Sequence, residues 1–350
     1  MNPYDFVRVD LNKPPRLSKY APHDRLIAGA LHGRFEGTLT LLMPTFVKQP
    51  GQRQVGRNAQ QFMRSNKHAI IPGSSLKGLF RSVVETVGGC WWWLCNSRDL
   101  PPRLARPDRT ASLDQLDVAC RLFGFLAGSK SYLGNVSFGD AVCEQEVTHS
   151  PIYTPIHDSP KPRHSAWYAP DGQIAGRKFY LHHNGPIVTE TELRETRDGS
   201  AYYNSYIAPL NTGSVFRFGG QFENIAPEDW ALLLYAMTLE PDMRHKIGFA
   251  KAAGLGSIEV RLTALTVLDP AQRYTAAGVG GSLSRGLTTH SGDGLGEYVR
   301  QRVKPYAGDH SSNTLNDLRR IWAWPAQHTL RYPGRKWFDE NPTTPLSQAP

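Results

Sequence analysis

Two hydroxyls, Ser74 and Ser75, and two cations, Lys77 and Arg81, fall where a strand turns into a helix. The stretch from Ile70 to Glu85 reads Ile-Ile-Pro-Gly-Ser-Ser-Leu-Lys-Gly-Leu-Phe-Arg-Ser-Val-Val-Glu. Pro72-Gly73 breaks the strand, because proline fixes φ and glycine accepts the turn. Ser74 or Ser75 is expected to cap the helix by accepting from its free amides. Leu76, Leu79, Phe80 and Val83 or Val84 recur at helical spacing as a buried face, and Lys77 and Arg81, four apart, share another. The chemistry on offer is anion binding at a helix N-terminus. The plain alternative is an ordinary capped amphipathic helix.

A second group with similar chemistry is His245-Lys-Ile-Gly-Phe-Ala-Lys-Ala-Ala-Gly-Leu-Gly-Ser-Ile-Glu-Val260. Lys246 and Lys251 lie among glycines, including Gly254 and Gly256, which let backbone amides approach phosphates. It lacks the Gly-Lys-Ser/Thr that opens the helix of a nucleotide-binding P-loop. The loop at residues 45–69 carries Lys48, Arg53, Arg57, Arg64 and Lys67, and from Gly37 through Val84 there is no Asp or Glu. Such a run is either a solvated surface loop or is matched by an anion, and its place before the helix favours RNA. His149, His157, His164, His182 and His183 invite acid–base or metal chemistry but lack tight ligand spacing. The adjacent pair would point to opposite faces of a strand. Cys90-Trp-Trp-Trp-Leu-Cys95, Cys120 and Cys143 are too few and too scattered for a disulfide scaffold. The plain reading is buried reduced thiols beside tryptophans that fill a core or stack on bases.

The elements that must hold these groups are legible in part. Gly33–Thr45 reads as a strand, with Phe35, Gly37, Leu39 and Leu41 alternating with Glu36, Thr38 and Thr40. Gly134–Ala141 alternates again, and Val215 to Arg217 enters another strand. Pro227–Leu239 is a helix: Pro227 suits its first turn, Glu228 and Asp229 its dipole, and Trp230, Leu233, Leu234 and Met237 its core face. Residues 1–24 are expected to pack as an extended arm. Residues 276–312, rich in glycine and serine, are expected to be flexible or ordered on assembly. Leu315–Trp324 is a short helix capped by Asn313 or Thr314. Tyr332–Phe338 is expected to anchor the tail.

At 350 residues the chain buries a large core. A net charge of +9 favours a polyanionic partner without identifying it. With no run of 18 apolar residues and no apolar leader, a cytoplasmic protein with no membrane association is expected. Its 26 prolines and 32 glycines point to short elements joined by many loops.

Pro-Gly-Ser-Ser-Leu-Lys-Gly with its apolar-basic helix resembles the signature of the RAMP superfamily of CRISPR-associated proteins. More narrowly, it resembles the backbone subunits (the Cas-seven family) of type III-like effector complexes. Leu116–Ala141, with Leu-Phe-Gly and a strand ending in Asp-Ala, and the glycine loop before Ser-Ile-Glu-Val are similar to companion motifs of that family. Gly176–His183 and Ile207–Phe218 add weaker likenesses, and the resemblance spans about residues 30–260. It implies an α+β, ferredoxin-like (RRM-like) core over residues 1–270, with the basic loop 45–69, an insertion at 88–115 and a thumb-like β-hairpin insertion at 150–205. Residues 271–350 form a C-terminal extension. Phe179 and Tyr180 beside Arg177 and Lys178 would suit a thumb that wedges into a duplex. No cofactor is required by the family. Some relatives hold a structural zinc, for which Cys90, Cys95 and Cys120 fall in matching places, while Asp117 stands where a further cysteine would be expected. Asp140 takes a structural role, with catalysis as the alternative.

The function implied is antiviral. Such a subunit binds guide RNA (crRNA) by its phosphates, polymerises head-to-tail along it and presents it to complementary target RNA within a ribonucleoprotein effector complex. Its partners are further copies of itself and other effector subunits, among them a separate nuclease. Cleaving relatives carry an aspartate in the basic loop; this chain has no acid there, so a subunit that is not an enzyme is expected. A different class is a guide-processing, metal-independent endoribonuclease of the same superfamily, which would need His149, His157 or His164 close to a lysine. A basic RNA-binding module outside CRISPR is the third reading.

Overall fold

The computed structural model describes the chain apart from residues 1, 52–53, 55, 93–99, 106–111, 158–163, 275–283, 332–334, 345–347 and 349–350. Arg53, Trp93, Cys95 and Tyr332 therefore lie outside the described residues.

The fold is α+β, built on one curled antiparallel sheet. Strands that position the site are β1 (Tyr4–Val7), β2 (Leu31–Leu41), β3 (His68–Ile71), β4 (Val136–Phe138), β5 (Ala141–Gln145), β6 (Arg177–Tyr180), β7 (Val215–Ile225), β8 (Ser257–Leu268) and β9 (Leu287–Ser291). The principal helices are α1 (Gly73–Val87), α2 (Val118–Phe123), α3 (Pro227–Thr238), α4 (Gly292–Ala307) and α5 (Asn313–Ile321). From one edge the main sheet runs His245–Lys246, β8, β2, β7, β5, β3 and Arg64–Ser65, with β9 also on β8 and β4 also on β7.

β2 is central, and its alternation explains why. Phe35, Leu39 and Leu41 are buried, while Arg34 and Glu36 are exposed. The strand ends at Leu41, short of the expected Thr45. Leu39 lies opposite Phe216 of β7 on one side and Val260 of β8 on the other. α1 buries Leu76, Leu79, Phe80, Val83 and Val84 as its spacing predicts. α3 buries Trp230, Leu233, Leu234 and Met237, with Trp230 stacked 4.1 Å from Phe222. Burial of such side chains stabilises by about 1.5–3 kcal/mol each.

The caps differ from expectation. The N-cap of α1 is Pro72, and neither serine makes a capping hydrogen bond. Instead the Gly73 N–H donates to Asp140 Oδ1 at 2.8 Å. A carboxylate distant in sequence fills the dipole's positive end, which gives Asp140 its structural place. α5 begins at Asn313 rather than Leu315, and Ser312, not Asn313 or Thr314, caps it by accepting from Leu315 N–H.

The C-terminal region is more ordered than its composition suggests. β9 pairs with β8 from Ala264↔Ser291 to Leu268↔Leu287. α4 buries Leu295, Tyr298 and Val303, and the Trp230 Nε1–H donates to Tyr298 Oη at 3.1 Å. Residues 287–312 thus correct the expectation of flexibility: paired backbone groups and a buried face outweigh the glycines. The N-terminal arm is fixed likewise. β1 pairs antiparallel with β6, and Arg8 forms a bidentate pair with Asp317 of α5, at 2.7 and 3.0 Å.

Candidate nucleic-acid interface

Three loops and two strands meet over one face of α1 and enclose a cleft of about 980 Å³. Ser75, Gly78 and Ser82 of α1 face it. Lys48 enters from the basic loop, Arg177 and Lys178 from β6, and Lys246 and Lys251 from the segment between α3 and β8. Six predicted residues, Lys48, Ser75, Arg177, Lys178, Lys246 and Lys251, therefore share one wall system.

The cations in this cleft are not equivalent. Arg177 is already used: its Nη1–H donates to Glu85 Oε2 at 2.8 Å, its Nη2–H to the Trp91 carbonyl at 3.0 Å, and its guanidinium lies 4.6 Å from the Trp92 ring. Glu85 also accepts from Arg81 Nε at 2.7 Å, and Arg81 donates to the Gly124 carbonyl. Arg81 and Arg177 thus sandwich the one carboxylate that lines the cleft among the described residues.

Lys178, Lys246 and Lys251 have no carboxylate partner among the described residues. Lys246 is only 4 % exposed, with Nζ 3.5 Å from the Gly254 carbonyl. Lys251 Nζ donates to the Gly248 carbonyl at 2.7 Å. Lys178 Nζ stands 3.6 Å from the Tyr4 ring and 4.8 Å from that of Tyr180. Burial, and then the charge of Lys251, lowers Lys178 to about 8 and Lys246 to about 7; burial lowers Lys251 as well. Like charges crowded in a partly dry cleft destabilise one another until an anion arrives. The three lysines have no counter-charge among the described residues, an arrangement suited to an anion such as a phosphate.

Gly254 and Gly256 shape the loop. Both have positive φ, and a Cβ would strike the His183 ring at Gly254 (2.9 Å) and the Ile247 carbonyl at Gly256 (2.0 Å). Their freedom folds Lys246 and Lys251 inward.

The remaining predicted residues are placed elsewhere. Ser74 and Lys77 line a separate hollow on the other side of the α1 N-terminus, with His32 and Arg34. Arg64 pairs with Glu146 and donates to the Lys67 carbonyl, and Lys67 is an exposed turn residue at φ +72°. Arg57 is exposed. The basic loop is itself pinned, since Phe46 and Phe62 are buried and Lys48 bridges Phe62.

Within 150–205 the Gly176–Tyr180 stretch is a strand, not a projecting tip. Phe179 is buried, 5.1 Å from Trp322, so it is not free to wedge. His182 bonds Ser257 Oγ and the Arg244 carbonyl, and His183 bonds Pro186 O and Leu330 N–H, so both have structural duties. His149 is half-buried and bonds the Ser150 carbonyl. His157 and His164 line a smaller cavity together with Lys178 and Lys251. Sequence reading named these side chains without bringing them together.

Cys90 and Cys120 are buried. Burial and Asp117 push the Cys90 thiol up. Asp117 accepts from Trp91 N–H at 2.9 Å and Cys120 N–H at 2.7 Å, so a carboxylate ties together the segments that a zinc would bridge. Among the described residues no three His, Cys, Asp or Glu side chains converge as ligands. Likewise, among them no helix is long and apolar enough to cross a membrane.

A family model described as the RAMP superfamily matches residues 38–259, more than half of the chain. The matched span includes α1, Asp140, β6 and the Lys246–Gly256 loop. No curated protein matches the sequence.

Proposed function

The chain belongs to the RAMP superfamily of CRISPR-associated proteins, and on that premise we propose that it is a non-cleaving backbone subunit that holds guide RNA in the α1 cleft. The observation that carries this is the cluster of Lys178, Lys246 and Lys251 without a carboxylate partner among the described residues, facing Lys48 and the α1 hydroxyls. Contacts of this kind read phosphate rather than base, so binding is salt-sensitive and target choice is left to the guide. The order β8-β2-β7-β5, with α1 after β2 and α3 after β7, supports a ferredoxin-like core.

The same reading places several copies head-to-tail along one guide, since heterologous contacts build open filaments. It assigns target cutting to a separate effector subunit, because no acid stands between Gly37 and Val84. It also gives the protein a cytoplasmic, type III-like setting.

Native mass spectrometry of the protein co-expressed with a repeat–spacer RNA, with and without complementary RNA, tests it. A ladder of copies on one RNA, with the target intact, is the expected result. A one-to-one complex, or a target cut at regular steps, sinks it.

One observation favours the guide-processing reading as a second choice: His157 and His164 share a cavity with Lys178 and Lys251, and Lys178 acts electrostatically on His157. That reading predicts repeat RNA cut in EDTA and protected by His157→Ala.

A further inference from the structure

A second cavity of about 350 Å³, within the range of small-ligand sites, adjoins the basic cleft. Tyr168, Lys178, Tyr180, Phe249 and Lys251 line both. The second cavity adds Tyr4, Trp167 and Phe338, so its walls are largely aromatic, and no Asp or Glu among the described residues lines it. Its wall aromatics are fixed by packing: Trp167 lies 4.6 Å from Phe338, and His164 stacks on Trp167 at 4.0 Å. Its cations stand at the mouth shared with the cleft, Lys251 Nζ 5.6 Å from the Tyr180 ring and Lys178 Nζ between Tyr4 and Tyr180.

Two halves of one ligand are specified. A flat ring is required to use aromatic walls, and an anion is required to use two lysines at the rim. An inorganic anion leaves the walls unused, and a neutral apolar ligand leaves the lysines desolvated with no counter-charge among the described residues. We propose that this cavity takes one unstacked nucleotide, its base between the aromatic walls and its phosphate on Lys178 and Lys251. The walls shared with the cleft make a nucleotide of the bound strand the favoured source, which rests on the RNA-binding reading above; a free nucleoside monophosphate shares the chemistry. His157 and His164 then supply ring nitrogens at the base edge. Burial and Lys178 lower His157 to about 4, so it meets the base uncharged at neutral pH.

The test uses the full chain and RNA containing 5-bromouracil or 8-azidoadenine, irradiated and mapped by peptide mass spectrometry, beside equilibrium binding of free AMP, GMP, CMP and UMP. Crosslinks at Tyr4, Tyr168 or Phe249 are expected. Tyr168→Ala is expected to weaken RNA binding about tenfold with the salt dependence unchanged, because stacking and not charge is lost. Tyr168→Phe restores it. RNA retained but crosslinked only to the basic loop overturns the pocket and leaves the RNA reading standing. RNA not retained, with a free monophosphate bound one-to-one and lost in Tyr168→Ala, keeps the pocket and removes the RNA reading. If neither ligand binds, both fall. Should Tyr168→Ala fail to fold, the wild-type crosslinks decide.

Discussion

Two basic regions of this protein differ in what becomes of their charge. The loop at residues 45–69 is the more conspicuous in sequence, yet Arg64 is neutralised by Glu146, and Lys67 and Arg57 point to solvent. The cleft draws its cations from three separate segments of the chain, around Lys48, Lys178 and Lys246, and leaves Lys178, Lys246 and Lys251 unmatched by any described carboxylate. A charge in water is screened within about 10 Å at 0.1 M salt, whereas charge focused in a cleft retains its reach. Density along the chain is therefore a poor guide to where uncompensated charge accumulates.

The comparison is broken most directly by exchanging the two sets. Lys178→Ala/Lys251→Ala is expected to weaken RNA binding about 100-fold in fluorescence anisotropy. It should also flatten the log–log salt slope by about 1.4, the value for two single-strand phosphate contacts. Arg57→Ala/Lys67→Ala should cost no more than about threefold; if the loop pair matters more than the cleft pair, the assignment is reversed.

Acidity sharpens it. Lys178 near 8 and Lys246 near 7 are charged at pH 6.5 and lose their protons on the way to pH 9, while exposed lysines keep theirs to about 10.4. Affinity measured at constant ionic strength should fall about tenfold over that range, and Lys246→Met should flatten its lower half.

The smallest effect concerns stability. The folded value of Lys246 lies below its unfolded one, so its protonation favours the unfolded chain. That cost is full below about pH 7 and fades as pH rises toward 10.5. Lys246→Met should therefore raise Tm at pH 6.5 by about 2–4 °C, with a smaller gain at pH 9, by calorimetry. A loss at pH 6.5 would show that the lysine supports the fold.

Periodic elements were legible because their signal is local. Phe35–Leu41 of β2, Leu76–Val84 of α1 and Trp230–Met237 of α3 bury the faces that their spacing predicts. Caps were misread, since the partner of the α1 N-terminus is Asp140, 67 positions away from Gly73. α4 was obscured by the glycine- and serine-rich segment before it, although Leu295, Tyr298 and Val303 carried a readable stripe. The individual lysines could be named from sequence. Their convergence could not, because it depends on β1 pairing with β6 and on α5 holding β1. For the same reason the aromatic cavity had no local signature: Tyr4, Trp167, Phe249 and Phe338 meet only in three dimensions.

The clasp between Arg8 and Asp317 also sets a timetable. The two residues are 309 positions apart, a gap that a ribosome covers in about 15–60 s at roughly 5–20 residues per second. The strand under Lys178 thus waits for most of the chain before it can be locked. A nascent chain displays the basic loop early but gains the assembled cleft last, and on the RNA-binding reading proposed above, loading is confined to finished molecules.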